Sequence, residues 1–148
     1  MSLVAIFDQA ADQIREALAN DVWDFQVEPW AITSPTPPSI DMYRGELSLN
    51  EEGMGETFEK SNPGFVMVVR ARVGTNDGEG NQDVLYALAD PSDDHCLVQA
   101  LYDDPTLNGY ATDVSLLTDS GLTIVPGVLS PEIHYGNVWR FLVIPAWS

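Results

Sequence analysis

Positive charge is scarce in this chain. Lysine occurs once, at Lys60, and the 148 residues hold 6 Lys plus Arg against 23 Asp plus Glu, a formal net charge of −17. So few cations form no basic patch, which argues against nucleic-acid binding through phosphates. Cysteine also occurs once, as Cys96, which excludes an internal disulfide and fits an intracellular product with a buried thiol. No run is long and apolar enough to span a membrane. Asp8, Asp12 and Glu16 in the first turns of the chain argue against a secretory signal peptide.

Catalytic patterns are missing as well. There is no G-x-S-x-G, Walker or dinucleotide fingerprint. The two histidines are His95 and His134. His95 adjoins Cys96, but neighbours on a helix point about 100° apart, so a Cys/His dyad is not expected. Asp93, Asp94 and His95 have the chemistry of metal donors, yet a helix N-terminus accounts for the aspartates. Asp77, Glu79, Asn81 and Asp83 alternate like a calcium loop, but the glycine and the distal Glu of an EF-hand are out of place. The expectation is a non-enzyme with no cofactor and no metal.

A charge of −17 repels itself, which opposes both compaction and self-association in ordinary salt. At molar salt the Debye length falls to about 3 Å and the repulsion is screened. The composition therefore points to a high-salt cytoplasm, as in a halophilic archaeal host, with a merely acidic mesophilic protein as the alternative.

What the chain does have is patterning. Hydrophobic residues make up 45% of it, so a folded core is expected, and its length suits one domain over residues 1–148. Ser2 to Ala19 reads as an amphipathic helix, with Leu3, Ile6, Phe7, Ala10, Ile14, Ala17 and Leu18 at i, i+3, i+4 spacing. Val22 to Val27 reads as a strand with Trp23, Phe25 and Val27 on one face. Pro29 to Pro38 is a loop, and Ser39 to Leu49 a second strand. Residues 46–62 form a flexible acidic loop. Gly64 to Val73 is the clearest strand: Phe65, Met67, Val69, Ala71 and Val73 share one face, and Val66, Val68, Arg70 and Arg72 the other.

Asn81 to Ala89 is predicted helical, with Val84, Leu85 and Leu88 as its stripe. A second short helix is predicted from Asp93 to Tyr102, capped by Ser92, with Asp93 and Asp94 complementing its dipole and Leu97, Ala100 and Leu101 buried. Pro105 ends it and Asn108-Gly109 turns the chain. Tyr110 to Asp119 alternates as a strand with one solvated face. Ser120-Gly121 is read as another turn, followed by a short apolar run to Val128. Ile133 to Ile144 is a last strand carrying Tyr135, Trp139 and Phe141 on one face. Runs of strands around paired helices predict an α+β fold, with an antiparallel or mixed sheet and the N-terminal helix and central helix pair packed on one face.

This order of parts resembles the tail-terminator, or tail-completion, proteins of long-tailed double-stranded DNA viruses. The resemblance rests on the N-terminal helix before Val22-Trp23-Asp24, the Pro-rich crossing at Pro35 to Pro38 and the apolar strand from Phe65 to Val73. It continues through the run Leu101-Tyr102-Asp103-Asp104-Pro105-Thr106-Leu107-Asn108-Gly109, the Asp113-Val114 strand and the closing Tyr135-Gly136-Asn137-Val138-Trp139. It covers nearly the whole chain, departing in its acidity and in the longer loop from Glu46 to Asn62.

The resemblance implies a structural virion protein made in the host cytoplasm and placed at the neck of the particle. It would form a ring, usually of six copies, end tail-tube polymerisation and receive the head connector or stopper protein. DNA would pass through the lumen without specific binding. Arg70, Arg72 and Arg140 are the candidate contacts between subunits, the alternative being pairing within the subunit or a solvated position. Glu51, Glu52, Met54, Glu56, Phe58 and Lys60 are the candidate contacts to the tube or connector. Other readings are a different neck protein (a head–tail adaptor or stopper) or an unrelated acidic protein-binding module.

Overall fold

The computed structural model describes residues 3–19, 23–32, 38–46, 64–74, 78–126 and 133–146. Its elements run α1 (Leu3–Ala17), β1 (Gln26–Glu28), β2 (Ser39–Arg44), β3 (Phe65–Val73), α2 (Gly78–Ala89), α3 (Leu97–Tyr102), β4 (Ala111–Asp119), β5 (Thr123–Pro126) and β6 (Ile133–Pro145). The fold is α+β. The strands form one 6-stranded sheet in the order β1-β2-β3-β6-β4, with β5 also paired to β6. β1 runs parallel to β2, and every other pairing is antiparallel. The sheet is therefore mixed.

Period-two patterning places the core. The odd-numbered residues of β3, from Phe65 to Val73, join Trp139, Phe141 and Val143 of β6 in the main cluster. Onto this face pack Ile6, Phe7, Ala10, Ala11 and Ile14 of α1, Leu85 and Leu88 of α2, and Leu97 and Leu101 of α3. Asp8, Asp12 and Glu16 stay in water on the far side of α1. All three helices thus share one face of the sheet. Burying each large apolar side chain there contributes about 1.5–3 kcal/mol. The opposite face carries a smaller cluster of Val66, Val68 and Leu142, with Tyr43, Leu117, Val138 and Ile144 packed against it.

Five details depart from the sequence reading. The first strand is short: Trp23 to Phe25 are irregular because Asp24 takes a positive φ of 55°, and only Gln26–Glu28 pair with β2. The two aromatics still pack on the core, edge to face with ring centroids 6.1 Å apart. β2 stops at Arg44.

α3 begins at Leu97, not Asp93, and Cys96 is the residue at its N-cap, with no side-chain cap. Ser92 caps nothing there. Its amide and hydroxyl both donate to Asp90 Oδ1, at 2.9 and 2.7 Å, while Asp93 Oδ1 accepts the amide of His95 at 2.8 Å. Those local turns satisfy the backbone without a helix, as short polar side chains do.

α2 begins at Gly78, so the backbone from Gly78 through Asp83 is helical rather than a calcium-type loop; Asp77 lies outside the described residues.

Finally, Ser120-Gly121 does not reverse the chain. β4 and β5 run in the same direction along one edge of β6, pairing with Trp139–Pro145 and Ile133–Gly136 respectively. Ser120 exchanges bonds with Val138: its amide donates to the Val138 carbonyl, and its hydroxyl accepts the Val138 amide, both at 2.9 Å. Asp119 Oδ1 accepts from Gly121 N at 2.9 Å and Asn137 Nδ2 at 2.8 Å. These bonds hold the kink on β6, so a turn signal there becomes an irregularity in a long edge strand.

Candidate functional site

The face of the sheet away from the helices holds a buried charge cluster. Asp41 of β2 lies directly opposite Arg70 of β3, and Ser39 directly opposite Arg72. Side chains two apart on a strand share a face, so these four residues converge. Asp41 and Arg72 are fully buried and Arg70 is nearly so. Arg70 grips Asp41 with two arms, Nε to Oδ1 at 3.0 Å and Nη2 to Oδ2. Arg72 Nη2 donates to the same Oδ2 at 2.7 Å, and the Ile32 amide donates to it at 2.8 Å. Arg72 Nη2 also reaches the Ile32 carbonyl at 3.3 Å. The Arg70 guanidinium sits 4.9 Å above the Tyr43 ring, a cation–π contact. Burial lowers the Arg72 pKa from its usual value against the opposing pull of Asp41.

Arg70 and Arg72 therefore pair within the chain, rather than presenting open guanidiniums to a neighbour. Arg140 lies on the same sheet face, opposite Val68, half-buried, with Nη2 donating to the Glu46 carbonyl at 3.2 Å. The proposed contact loop, Glu51, Glu52, Met54, Glu56, Phe58 and Lys60, lies outside the described residues.

On the helical side, a cleft of about 540 Å³ opens between α1, residues 91–94 and α3, lined by Gln13, Glu16, Asp93, Asp94, Asp103 and Asp104 among others. Gln13 is buried in the middle of α1 and donates to the carbonyls of Ala100 (3.1 Å) and Asp104 (3.2 Å). It satisfies the Ala100 carbonyl that the short helix leaves open and adds to the Asp104 carbonyl, which also accepts the Leu107 amide at 3.1 Å. Among the described residues no three His, Cys, Asp or Glu side chains are grouped to hold a metal ion. His95 is not beside Cys96 on a helix: its Nδ1 lies 2.8 Å from Asp93 Oδ1, and its ring meets Trp23 edge-on at 5.0 Å, while Cys96 is buried.

The Asp103–Gly109 run is a built turn. Asp104 Oδ1 accepts from Thr106 Oγ1 (2.6 Å) and Thr106 N (3.2 Å), and Oδ2 accepts from Asn108 N (2.8 Å). The Thr106 hydroxyl, then the Asn108 amide, hold the Asp104 carboxyl below its ordinary pKa. Leu107, Asn108 and Gly109 follow with φ of 47°, 57° and 88°. Leu107 is fully buried and plugs the turn into the core.

Among the described residues, no further strand pairs on the β4–β5 side of the sheet. β4 ends the strand order and β5 pairs with β6, while Leu122 and Ile124 are exposed, with Tyr135 directly across from Ile124. No helix among the described residues is long and apolar enough to cross a membrane.

Sequence reasoning missed Asp41 and Gln13. A lone acid between Ile40 and Met42, facing an Arg-x-Arg strand, was the available signal for the first. Compared with known proteins, the chain matches no family model, and no curated protein matches it.

Proposed function

We propose that this chain is a structural virion protein of a long-tailed double-stranded DNA virus, forming a ring at the head-proximal end of the tail tube. The ring ends tube polymerisation and then joins the tail to the head connector or stopper. The observation that carries the reading is the run Leu101 to Gly109, which leads from the end of α3 towards β4, within an order of elements that resembles tail terminators. A ring of identical copies needs a head-to-tail contact between two unlike surfaces. The β4–β5 margin, with Leu122, Ile124 and Tyr135 exposed, supplies one such surface in an otherwise acidic molecule. Of the three arginines considered for subunit contacts, Arg140 is the one not engaged by Asp41. The acidity of the chain suits a lumen that does not grip DNA.

Electron microscopy of particles from the source virus with this gene disrupted tests the reading. Overlong tails without heads are the expected result. Normal-length free tails beside filled heads would move the chain to an adaptor or stopper role, and normal virions would reject a neck role.

A further inference from the structure

Two guanidiniums and one carboxylate leave the Asp41 cluster with a net charge of +1 in a fully or nearly fully buried place. Asp41 Oδ2 already accepts three hydrogen bonds, from Ile32, Arg70 and Arg72. It has little left to offer Arg72. Among the described residues, Arg72 Nε and Nη1 have no hydrogen-bond partner, and neither has Ser39 Oγ. Ser39 stands opposite Arg72 in the ladder, with its side chain on the same face. So donors collect at one buried spot, positive charge is in excess, and the nearby acceptor is saturated. An unsatisfied buried donor is costly, and an uncompensated buried charge more so.

We propose that the Ser39–Arg72 end of this cluster binds one small monovalent anion, chloride in a saline cytoplasm. Arg72 Nε–H or Nη1–H and the Ser39 hydroxyl hold it. The charge sets the valence, since one negative charge balances +1 and a divalent oxyanion would overshoot. The full burial of both side chains favours a small ion over a bulky one. A water molecule would satisfy the donors but leave the charge. Burial already lowers the Arg72 pKa, and a bound anion favours the charged form. An anion that binds the folded state alone also stabilises it by mass action. The inference is independent of the ring assignment.

The test exchanges sodium chloride for sodium gluconate at constant ionic strength and follows thermal unfolding of the intact protein. The midpoint is expected to be higher in chloride. With chloride at a hundred times its dissociation constant, the unfolding equilibrium constant falls about a hundredfold. Arg72→Met is expected to lose that dependence. Equal midpoints for the unsubstituted protein in the two salts would overturn the proposal, as would an Arg72→Met protein that kept the chloride response. Should Arg72→Met not fold, crystals of the unsubstituted protein soaked in bromide decide the matter. An anomalous peak within hydrogen-bond reach of Arg72 and Ser39 supports the site, and a water or no bromide there overturns it.

Discussion

Asp41 and Arg70 face each other across the β2–β3 ladder, and the guanidinium closes both of its arms on the carboxylate inside the protein. The pair is part of the fold rather than of the surface, and Arg72 depends on the same oxygen. Replacing Asp41 with Ala leaves two buried cations facing each other. The expected loss is about 3–5 kcal/mol. Urea unfolding of Asp41→Ala beside the unsubstituted protein checks this, and a loss below about 1 kcal/mol would mean that the cluster is solvated.

Gln13 offers a smaller prediction. Its amide satisfies the carbonyls of Ala100 and Asp104 from within α1. Gln13→Leu fills a similar volume but orphans the Ala100 carbonyl, while the Asp104 carbonyl keeps the Leu107 amide, and stability should fall by about 1–3 kcal/mol. Hydrogen exchange should show the loss first in α3, whose end Gln13 closes.

Two glycines should respond unequally to alanine. At Gly136 an added Cβ would lie 2.1 Å from the Ala71 carbonyl oxygen, backbone against backbone, where β3 and β6 pair. Gly136→Ala should separate those strands and yield little soluble protein. At Gly109 nothing lies within 4 Å, and the cost is the positive φ of 88° alone. Gly109→Ala should fold with a loss of about 1–2 kcal/mol. Equal behaviour of the two variants in thermal unfolding would contradict the strand contact.

Acid should act on the Asp103–Gly109 turn by a definite sign. The folded Asp104 pKa is depressed, first by the Thr106 hydroxyl and then by the Asn108 amide. Its contribution is therefore present above the unfolded carboxylate value and is lost as pH falls through the lower folded one. Asp90 follows the same rule through Ser92. An NMR titration should place the Asp104 midpoint below that of an ordinary aspartate, and Thr106→Val should raise it.

The net charge of −17 predicts a salt response of its own. Unfolding midpoints should rise from low to molar salt as self-repulsion is screened. A midpoint unchanged over that range would remove the case for a high-salt host.

Much of the fold was legible because periodicity reports faces. Phe65 to Val73 alternates so regularly that both faces of β3 could be assigned, and the stripes Val84, Leu85, Leu88 and Leu97, Ala100, Leu101 marked the buried sides of α2 and α3. What sequence could not carry was competition between local bonds. Ser92 had a helix to cap and an Asp90 beside it, and the nearer carboxylate won. Ser120-Gly121 had the composition of a reversal, but its bonds to β6 come from residues far along the chain. The charge cluster was half visible. Arg70 and Arg72 stood out on their strand, but the acid that claims both is on β2, brought opposite by register alone.

β6 pairs with β3, β4 and β5, and it follows all of them in the chain. Phe65 finds its partner in Val143, so the longest ladder joins segments separated by most of the second half of the sequence. During synthesis, β3 leaves the ribosome with one edge bare and waits for residues 133–145. Until they arrive, the sheet lacks the strand that connects its two sides, and neither the β4–β5 margin nor the Trp139 side of the core exists. Such non-local pairing is slow. Any contact that uses that margin is therefore withheld until residues 133–145 have joined the sheet.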